Sequence, residues 1–374
     1  MRKIIVATDS FKGSLSACEA CGVIAKQAQI VFPDAEILQM PISDGGEGLV
    51  EIILEAIGGE RKPVRTTDPL GREITAEYLR LSNGAALIEM AGAGGLTLLK
   101  PDEYDPMRAS TFGVGRMIRD AILAGADPIY IGLGGSATVD GGTGAASALG
   151  MRFLDSAGQA VTSGGGLARI TRIDNRKLPE LKQSGKLVFL TDVTNPLCGP
   201  EGAAEIFGPQ KGASPAQVRQ LSQGLESLGR LLEAETGMNL RSMPGLGAAG
   251  GFALPFVAYM GAGMRSGIDF VLDLLKFDEK LAGTDLVITG EGRTDAQSAM
   301  GKAVSAVARR AEVADVRVAI ISGALGEGAE KMLELGVTDL VQASPPGQPL
   351  EDALKYAAKN LAVAANNYLV GLKT

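Results

Sequence analysis

Short apolar runs that end in polar, glycine-containing loops recur along the chain, and segments with helical periodicity follow them. Ile4-Ile5-Val6-Ala7 runs into Asp9–Ser14, and a helix is expected from Leu15 to about Ile30. Glu36–Met40 reads as a second strand, ending in Ser43–Gly48 ahead of another helix. Near the other end, Asp285–Thr289 leads into Gly290–Asp295, Val316–Ile321 into Ser322-Gly323, and Asp339–Val341 follows a further helix. Strands that are apolar throughout and alternate with helices predict a parallel sheet covered on both faces. The middle has a different rhythm. Arg61–Ala91 alternates as antiparallel strands around the turn Asp68–Gly71 and the tip Ser82–Gly84; a helix from about Ser110, a strand at Pro128–Leu133, a glycine-rich helix start and a strand at Leu187–Leu190 come next. The expected α/β fold is a Rossmann-like parallel-sheet domain from residues 1–62 and 283–374, with a mixed α/β domain, 63–282, inserted and a cleft between them.

Composition narrows the chemistry. The chain has 374 residues, which suits two domains at roughly 100–200 residues each. It has no histidine, and this excludes Ser-His-Asp and Cys-His catalysis, histidine metal sites and an imidazole base. Tryptophan is absent too and the net charge is −7, which disfavours nucleic acid and anionic membranes as partners. The three cysteines are too few for a disulfide framework, and Cys18 and Cys21 lie inside an expected helix, where they read as small apolar residues rather than a redox pair. The first residues do not read as a signal peptide, and the run Ser242–Met264 reads as a buried loop and helix, so a cytoplasmic location is expected. The 51 glycines are about twice the usual ~7% share and fall in clusters.

Three of the polar loops, Asp9–Ser14, Ser43–Gly48 and Gly290–Asp295, sit at carboxyl ends of expected parallel strands, where open α/β sheets bind ligands. Each carries an acid beside glycine, and Lys12 and Arg293 add cations that helix capping does not require. Gly132–Ala137 and Gly245–Gly250 resemble phosphate loops only weakly, and no Walker A lysine is present. Without histidine, a general base falls to a carboxylate, and Asp44, Asp192, Glu291 and Asp295 are the candidates; Lys12, Lys211, Arg293 and Lys302 are the candidate anion-binding cations.

Eight ordered blocks then resemble one family, the bacterial glycerate kinases of the first class. They are Asp9–Ala17, Asp44–Gly48, Ser110–Gly113, Gly134–Thr138 with Asp140-Gly141-Gly142, Asn195–Pro200, Phe207–Gly212, Gly247–Gly251, and Gly290–Arg293 with Asp295 and Gln297-Ser298. The resemblance implies ATP- and Mg²⁺-dependent phosphorylation of D-glycerate, with the 2-phospho product favoured. It places nucleotide phosphates on Gly134, Gly135, Ser136, Lys211, Gly247, Gly250 and Gly251. It gives substrate binding to Asp9, Ser10, Lys12, Asp44 and Arg293, and Mg²⁺ to Asp44 and Glu291. Asp192 or Asp295 would take the hydroxyl proton, with Lys12 and Arg293 gripping the carboxylate or the moving phosphoryl group. Thr8, Leu49, Val139 and Val304 depart from the pattern, Val139 most notably because it lies beside Asp140. A kinase of another small hydroxy acid or sugar, or a non-catalytic small-acid binding protein, is the alternative. Monomer and homodimer are both open.

Overall fold

The structure is a computed structural model that describes residues 1–46, 48–177, 186–300 and 303–373. Glu47 and Lys302, both within motifs of interest, lie outside the described residues. The chain divides into two compact units. The first comprises Met1–Asp44, Glu51–Ile57 and Gly267–Thr374; the second comprises Gly45–Val50 and Gly58–Ser266.

The first unit holds a five-stranded, wholly parallel sheet in the spatial order Val337–Gln342, Arg317–Ser322, Leu286–Gly290, Lys3–Thr8, Glu36–Gln39. Numbered along the chain and read from the Glu36–Gln39 edge, that order is 2-1-3-4-5. Ile4, Val6, Leu286, Ile288, Ala319 and Ile321 share one buried face with helices Ala17–Val31 and Ala357–Gly371. The alternate residues Ile5, Val287, Val318 and Ile320 are equally buried, and helix Ala303–Val313 packs on those strands. This is why the strands carry no polar alternation. Helix Ala17–Val31 buries Ala17, Ala20, Cys21, Ile24, Ala28 and Val31, a stripe at helical spacing. Its start is fixed by a capping box between Ser16 and Glu19, and Pro33 follows its end.

The second unit has a six-stranded mixed sheet, in the order Gly263–Arg265, Leu187–Leu190, Ile129–Gly132, Ala86–Glu89, Glu73–Arg80, Glu60–Thr67. The first four strands run parallel and the last two pair antiparallel. The hairpin expected around Asp68–Gly71 is present, and Asp68 Oδ1 accepts from the Leu70 and Arg72 amides at 2.9 Å each. Phe189, Phe252 and Phe256 meet at centroid distances of 5.6–5.7 Å in the core. The run Ser242–Met264 forms buried turns and helix Leu254–Met260, and among the described residues no helix is long and apolar enough to cross a membrane.

Two details differ from the sequence-based expectation. The glycine-rich stretch after Gly132 does not itself start a helix: loop residues run to the six-residue helix Thr143–Ala148, and the glycines of the loop pack closely against protein. The chain passes between the units at 44/45, 50/51, 57/58 and 266/267, against the expected 62/63 and 282/283. Glu60–Lys62 already pairs with Tyr78–Arg80 in the second sheet, and helix Gly267–Leu274 is tied to Ala303–Val313 by Arg310, which bonds Asp269 and Asp273 at 2.7 and 2.6 Å.

Candidate functional site

In a sheet of order 2-1-3-4-5 the connections leave in opposite directions on either side of the gap between the first and third strands, and a crevice opens beyond their carboxyl ends. Here that gap lies between Lys3–Thr8 and Leu286–Gly290. A cavity of about 360 Å³ occupies the position; its lining includes Asp9, Ser10, Lys12, Asp44, Glu291, Arg293 and Asp295 from the strand-end loops and Leu350, Ala353, Leu354 and Asn360 from the C-terminal helices. The structure thus brings together all the substrate- and metal-binding candidates, and three of the four catalytic ones, within the first unit.

Each acid is set by its local backbone. Asp9 is not a helix cap, since Ser16 fills that role; its amide instead continues the sheet by donating to Gly290 O at 2.9 Å. Its carboxylate accepts from the Ser10 amide at 2.6 Å. Burial, and then the charges of Asp44 and Glu291, push the Asp9 carboxyl up to about 7, against the opposing pull of the Ser10 amide bond and, less, of Lys12. Glu291 follows a glycine, Gly290, where a Cβ would lie 2.0 Å from Ile321 O, so any larger residue would force the backbone to shift. Glu291 Oε1 accepts from Ser298 Oγ at 2.6 Å and Thr294 Oγ1 at 3.2 Å, and Thr294 is in turn bonded to Ser322 Oγ at 2.7 Å. Asp295 accepts from the Gln297 amide at 3.0 Å and lies 3.4 Å from Arg293 Nε. Lys12 and Arg293 are both exposed, with heads toward solvent at the cavity.

Three crowded carboxylates are a fitting donor set for a hard cation, since oxygen ligands and negative charge are what Mg²⁺ takes. Among the described residues no cluster of three or more such groups forms a ready-made cage. Mg²⁺ in phosphoryl-transfer sites is commonly held by one or two carboxylates together with substrate phosphate, so no such cage is required.

The remaining candidates lie in the second unit. Asp192 follows strand Leu187–Leu190 and accepts from Ser266 Oγ at 2.7 Å. The two glycine-rich loops come together, Gly141 N donating to Gly250 O at 3.0 Å. Their glycines face protein: a Cβ on Gly134 would lie 2.3 Å from the Gly46 Cα, on Gly247 2.2 Å from Pro196 O, on Gly250 2.3 Å from Thr138 O and on Gly251 2.7 Å from a Leu197 methyl. Gly135 needs its positive φ of 71°. Lys211 is 2% exposed, and its ammonium donates to Ser136 Oγ and Thr138 O, both at 2.7 Å. Burial lowers its pKa to about 7, against the opposing pull of Asp140. Asp140, buried and with its carboxyl raised by that burial, accepts from the Thr111 amide and hydroxyl at 2.8 and 2.7 Å and from the Gly142 amide at 3.0 Å. Close packing and this polar network fix the geometry of these loops.

Sequence reasoning missed the hub role of Asp140, the hydroxyl set around Glu291 and the apolar wall at Leu350 and Leu354. The Asp-Gly-Gly run and the Ser110-Thr111 block were signals for the first; the wall had none. Cys18 and Cys21 are free thiols in helix Ala17–Val31, and burial pushes both upward, Cys18 to about 12, the reverse of what a redox pair needs.

The glycerate kinase family model matches residues 4–372. The chain belongs to the glycerate kinase family. It is 41% identical over 372 residues to a glycerate kinase of Halalkalibacterium halodurans, covering 99% of this chain and 98% of that one. It is 38% identical over 367 residues to a glycerate 2-kinase of Escherichia coli, covering 98% and 96%. A crystal structure of a glycerate kinase 2 from Salmonella typhimurium superposes with a TM-score of 0.84 at 39% identity, covering 100% of this chain and 98% of that chain. The four departures from the glycerate kinase pattern share one property. Thr8, Leu49, Val139 and Val304 are at most 1% exposed, so they vary the packing behind the loops and not the surface a ligand meets.

Proposed function

We propose that this glycerate kinase family member phosphorylates D-glycerate at its 2-hydroxyl, with ATP as donor and Mg²⁺ as companion ion. The observation that carries this is the switch-point cavity, where Asp9, Asp44 and Glu291 crowd beside Lys12 and Arg293. A reaction between two anions needs both signs: cations to hold carboxylate and phosphoryl oxygens, and carboxylates to hold a metal and accept a proton.

Lys12 and Arg293 grip the glycerate carboxylate and the moving phosphoryl group. Asp44 and Glu291 hold Mg²⁺, which when bound neutralises charge on the phosphates. Glu291 is kept in place by the Ser298 and Thr294 hydroxyls. Asp9 and Ser10 border the substrate. Asp295, which accepts from the Gln297 amide and pairs with Arg293, takes the proton of the attacking hydroxyl in this reading; Asp192 is the second candidate for that role. Positioning and charge neutralisation supply most of the rate, as little covalent chemistry is asked of the protein. The cytoplasm, where ATP is at hand, is the compartment this activity implies.

The test is an ADP-release assay with Mg-ATP and D-glycerate, with L-lactate and glycolate as controls and the product passed to enolase. An immediate enolase signal is expected. A signal that appears only after phosphoglycerate mutase is added would assign the 3-hydroxyl instead, and no ADP release with D-glycerate would remove the proposal.

A further inference from the structure

We propose that the apolar part of the switch-point cavity lining, Leu350, Ala353, Leu354 and Ala357 on the C-terminal helices, with the Asn360 amide at its end, is the subsite for the adenosine of ATP. This rests on the kinase reading above and adds to it the place of the nucleoside.

The cavity carries two chemistries. Its charged lining suits a hydroxy acid and phosphate. Its apolar lining is a stripe of Leu350, Ala353, Leu354 and Ala357, spaced i, i+3, i+4, i+7 along the C-terminal helices and therefore on one face. Leu350 is 74% exposed and Leu354 37%, so neither is buried in the core. D-glycerate carries an oxygen on every carbon and has no apolar face to offer this wall. Of the reactants, only the nucleotide pairs a flat, largely apolar base with an anionic chain. Leu350 and Leu354 offer side-chain bulk, and the two alanines take up little of the space between them and the ligand. Asn360, one turn beyond Ala357, donates from Nδ2 to Gln348 Oε1 at 2.9 Å, which fixes its amide at the end of the stripe. A fixed amide beside an apolar wall is the chemistry that reads the polar edge of a base. Lys12 and Arg293, in the charged lining, complement the phosphates. The volume of about 360 Å³ falls at the lower end of sites for ligands larger than a three-carbon acid. The position, outside the strand ends at a topological switch point, is where parallel α/β sheets take nucleotides.

The experiment measures binding of Mg-ADP and of inorganic tripolyphosphate to the full chain by calorimetry, and steady-state KM values for ATP and D-glycerate. The variants are Ala353→Trp, which fills that space, and the double change Leu350→Ser with Leu354→Ser, which strips the wall at exposed positions and keeps the test valid if the tryptophan disturbs folding. The expected result is a loss of Mg-ADP affinity and a rise in KM for ATP of about tenfold or more, with tripolyphosphate affinity and KM for D-glycerate held within about twofold. Unchanged Mg-ADP affinity in folded variants overturns the subsite and leaves the kinase reading standing. Loss of tripolyphosphate binding or of D-glycerate binding instead also overturns it. Should the wild type bind Mg-ADP and lose it in the variants, yet release no ADP with D-glycerate, the subsite stands and the glycerate reading falls. A wild-type chain that binds no Mg-ADP overturns both.

Discussion

At the switch-point rim of the first unit, Glu291 is held by two hydroxyls and Asp9 by an amide, while Lys12 and Arg293 stay exposed beside them. In the second unit Gly134, Gly247 and Gly250 are pressed onto protein backbone, and the one cation of those loops, Lys211, is sealed inside. Both regions read alike in sequence, as glycines beside an acid and a lysine or arginine. The difference lies in what the absent Cβ and the charged head meet. At the rim the charges crowd together against their own electrostatic interest, as a site for a charged ligand requires. In the second unit Lys211 and Asp140 both have internal partners, and these glycines lie in close backbone contact.

Substitutions at the two places should therefore fail in different ways, and the largest effects separate them most clearly. Arg293→Ala is expected to lower kcat/KM by about a thousandfold, because charge stabilisation in the transition state is lost, with the melting temperature nearly unchanged since this arginine is 65% exposed. Gly250→Ala is expected to do the reverse. Its methyl would sit 2.3 Å from Thr138 O on a backbone with φ of 69°, so a stability loss of about 3 kcal/mol or more should precede any loss of activity per folded molecule. Chemical denaturation and active-site-normalised kinetics on the same samples read both. A Gly250→Ala protein of normal stability and no activity would collapse the contrast.

Lys211 sharpens it through pH. Its folded-state pKa of about 7 lies below the ordinary lysine value of 10.5, so the folded state sheds a proton that the unfolded chain keeps. The penalty of burying the ammonium is complete below pH 7 and is relieved as pH rises from 7 toward 10.5. The neutral amine still donates to Ser136 and Thr138. Lys211→Met removes this titration and leaves Asp140, the one charged group acting on it, in both proteins. The stability of the wild type relative to Lys211→Met is therefore expected to improve by several degrees in melting temperature between pH 6.5 and about pH 9. A flat difference would mean that Lys211 titrates as an exposed lysine does.

Much of the first unit was legible because its strands are buried on both faces and its loops occupy the strand ends, so periodicity located Asp9, Asp44, Glu291 and Asp295 together. The second unit was legible in its hairpins, where Asp68 and Asn83 carry turn chemistry in their own side chains. It was less so in its glycine loops, since a glycine that faces a ligand and one that faces a carbonyl oxygen are the same letter. Lys211 was opaque for a like reason: burial of a lysine depends on Ser136 and Thr138, more than 70 positions away. The wall at Leu350 and Leu354 left no trace because apolar residues at helical spacing ordinarily mean core.

Asp9 tests the same comparison with a smaller effect. Asp9→Asn removes a carboxylate that burial and two like charges disfavour, so it is expected to stabilise the ligand-free protein by about 1 kcal/mol at pH 8 while lowering kcat/KM, a trade of function against stability seen where charges are crowded for a ligand.

The smallest effect concerns which residue begins the first helix. If Asp9 served only as a cap, its loss would cost stability and Ser16 would be dispensable. The geometry assigns the cap to Ser16, whose hydroxyl accepts from the Glu19 amide at 3.2 Å while Glu19 returns a bond to the Ser16 amide at 2.8 Å. Ser16→Ala is expected to cost about 1 kcal/mol in urea denaturation and to leave kcat and both KM values unchanged. Asp9→Asn moves stability in the opposite direction. Two residues seven positions apart in one polar loop would then part company, one holding a helix and the other held in reserve for a ligand. An Asp9→Asn protein that loses stability as Ser16→Ala does would return Asp9 to the scaffold and leave Asp44, Glu291 and Asp295 as the described acids of the rim assigned to a ligand.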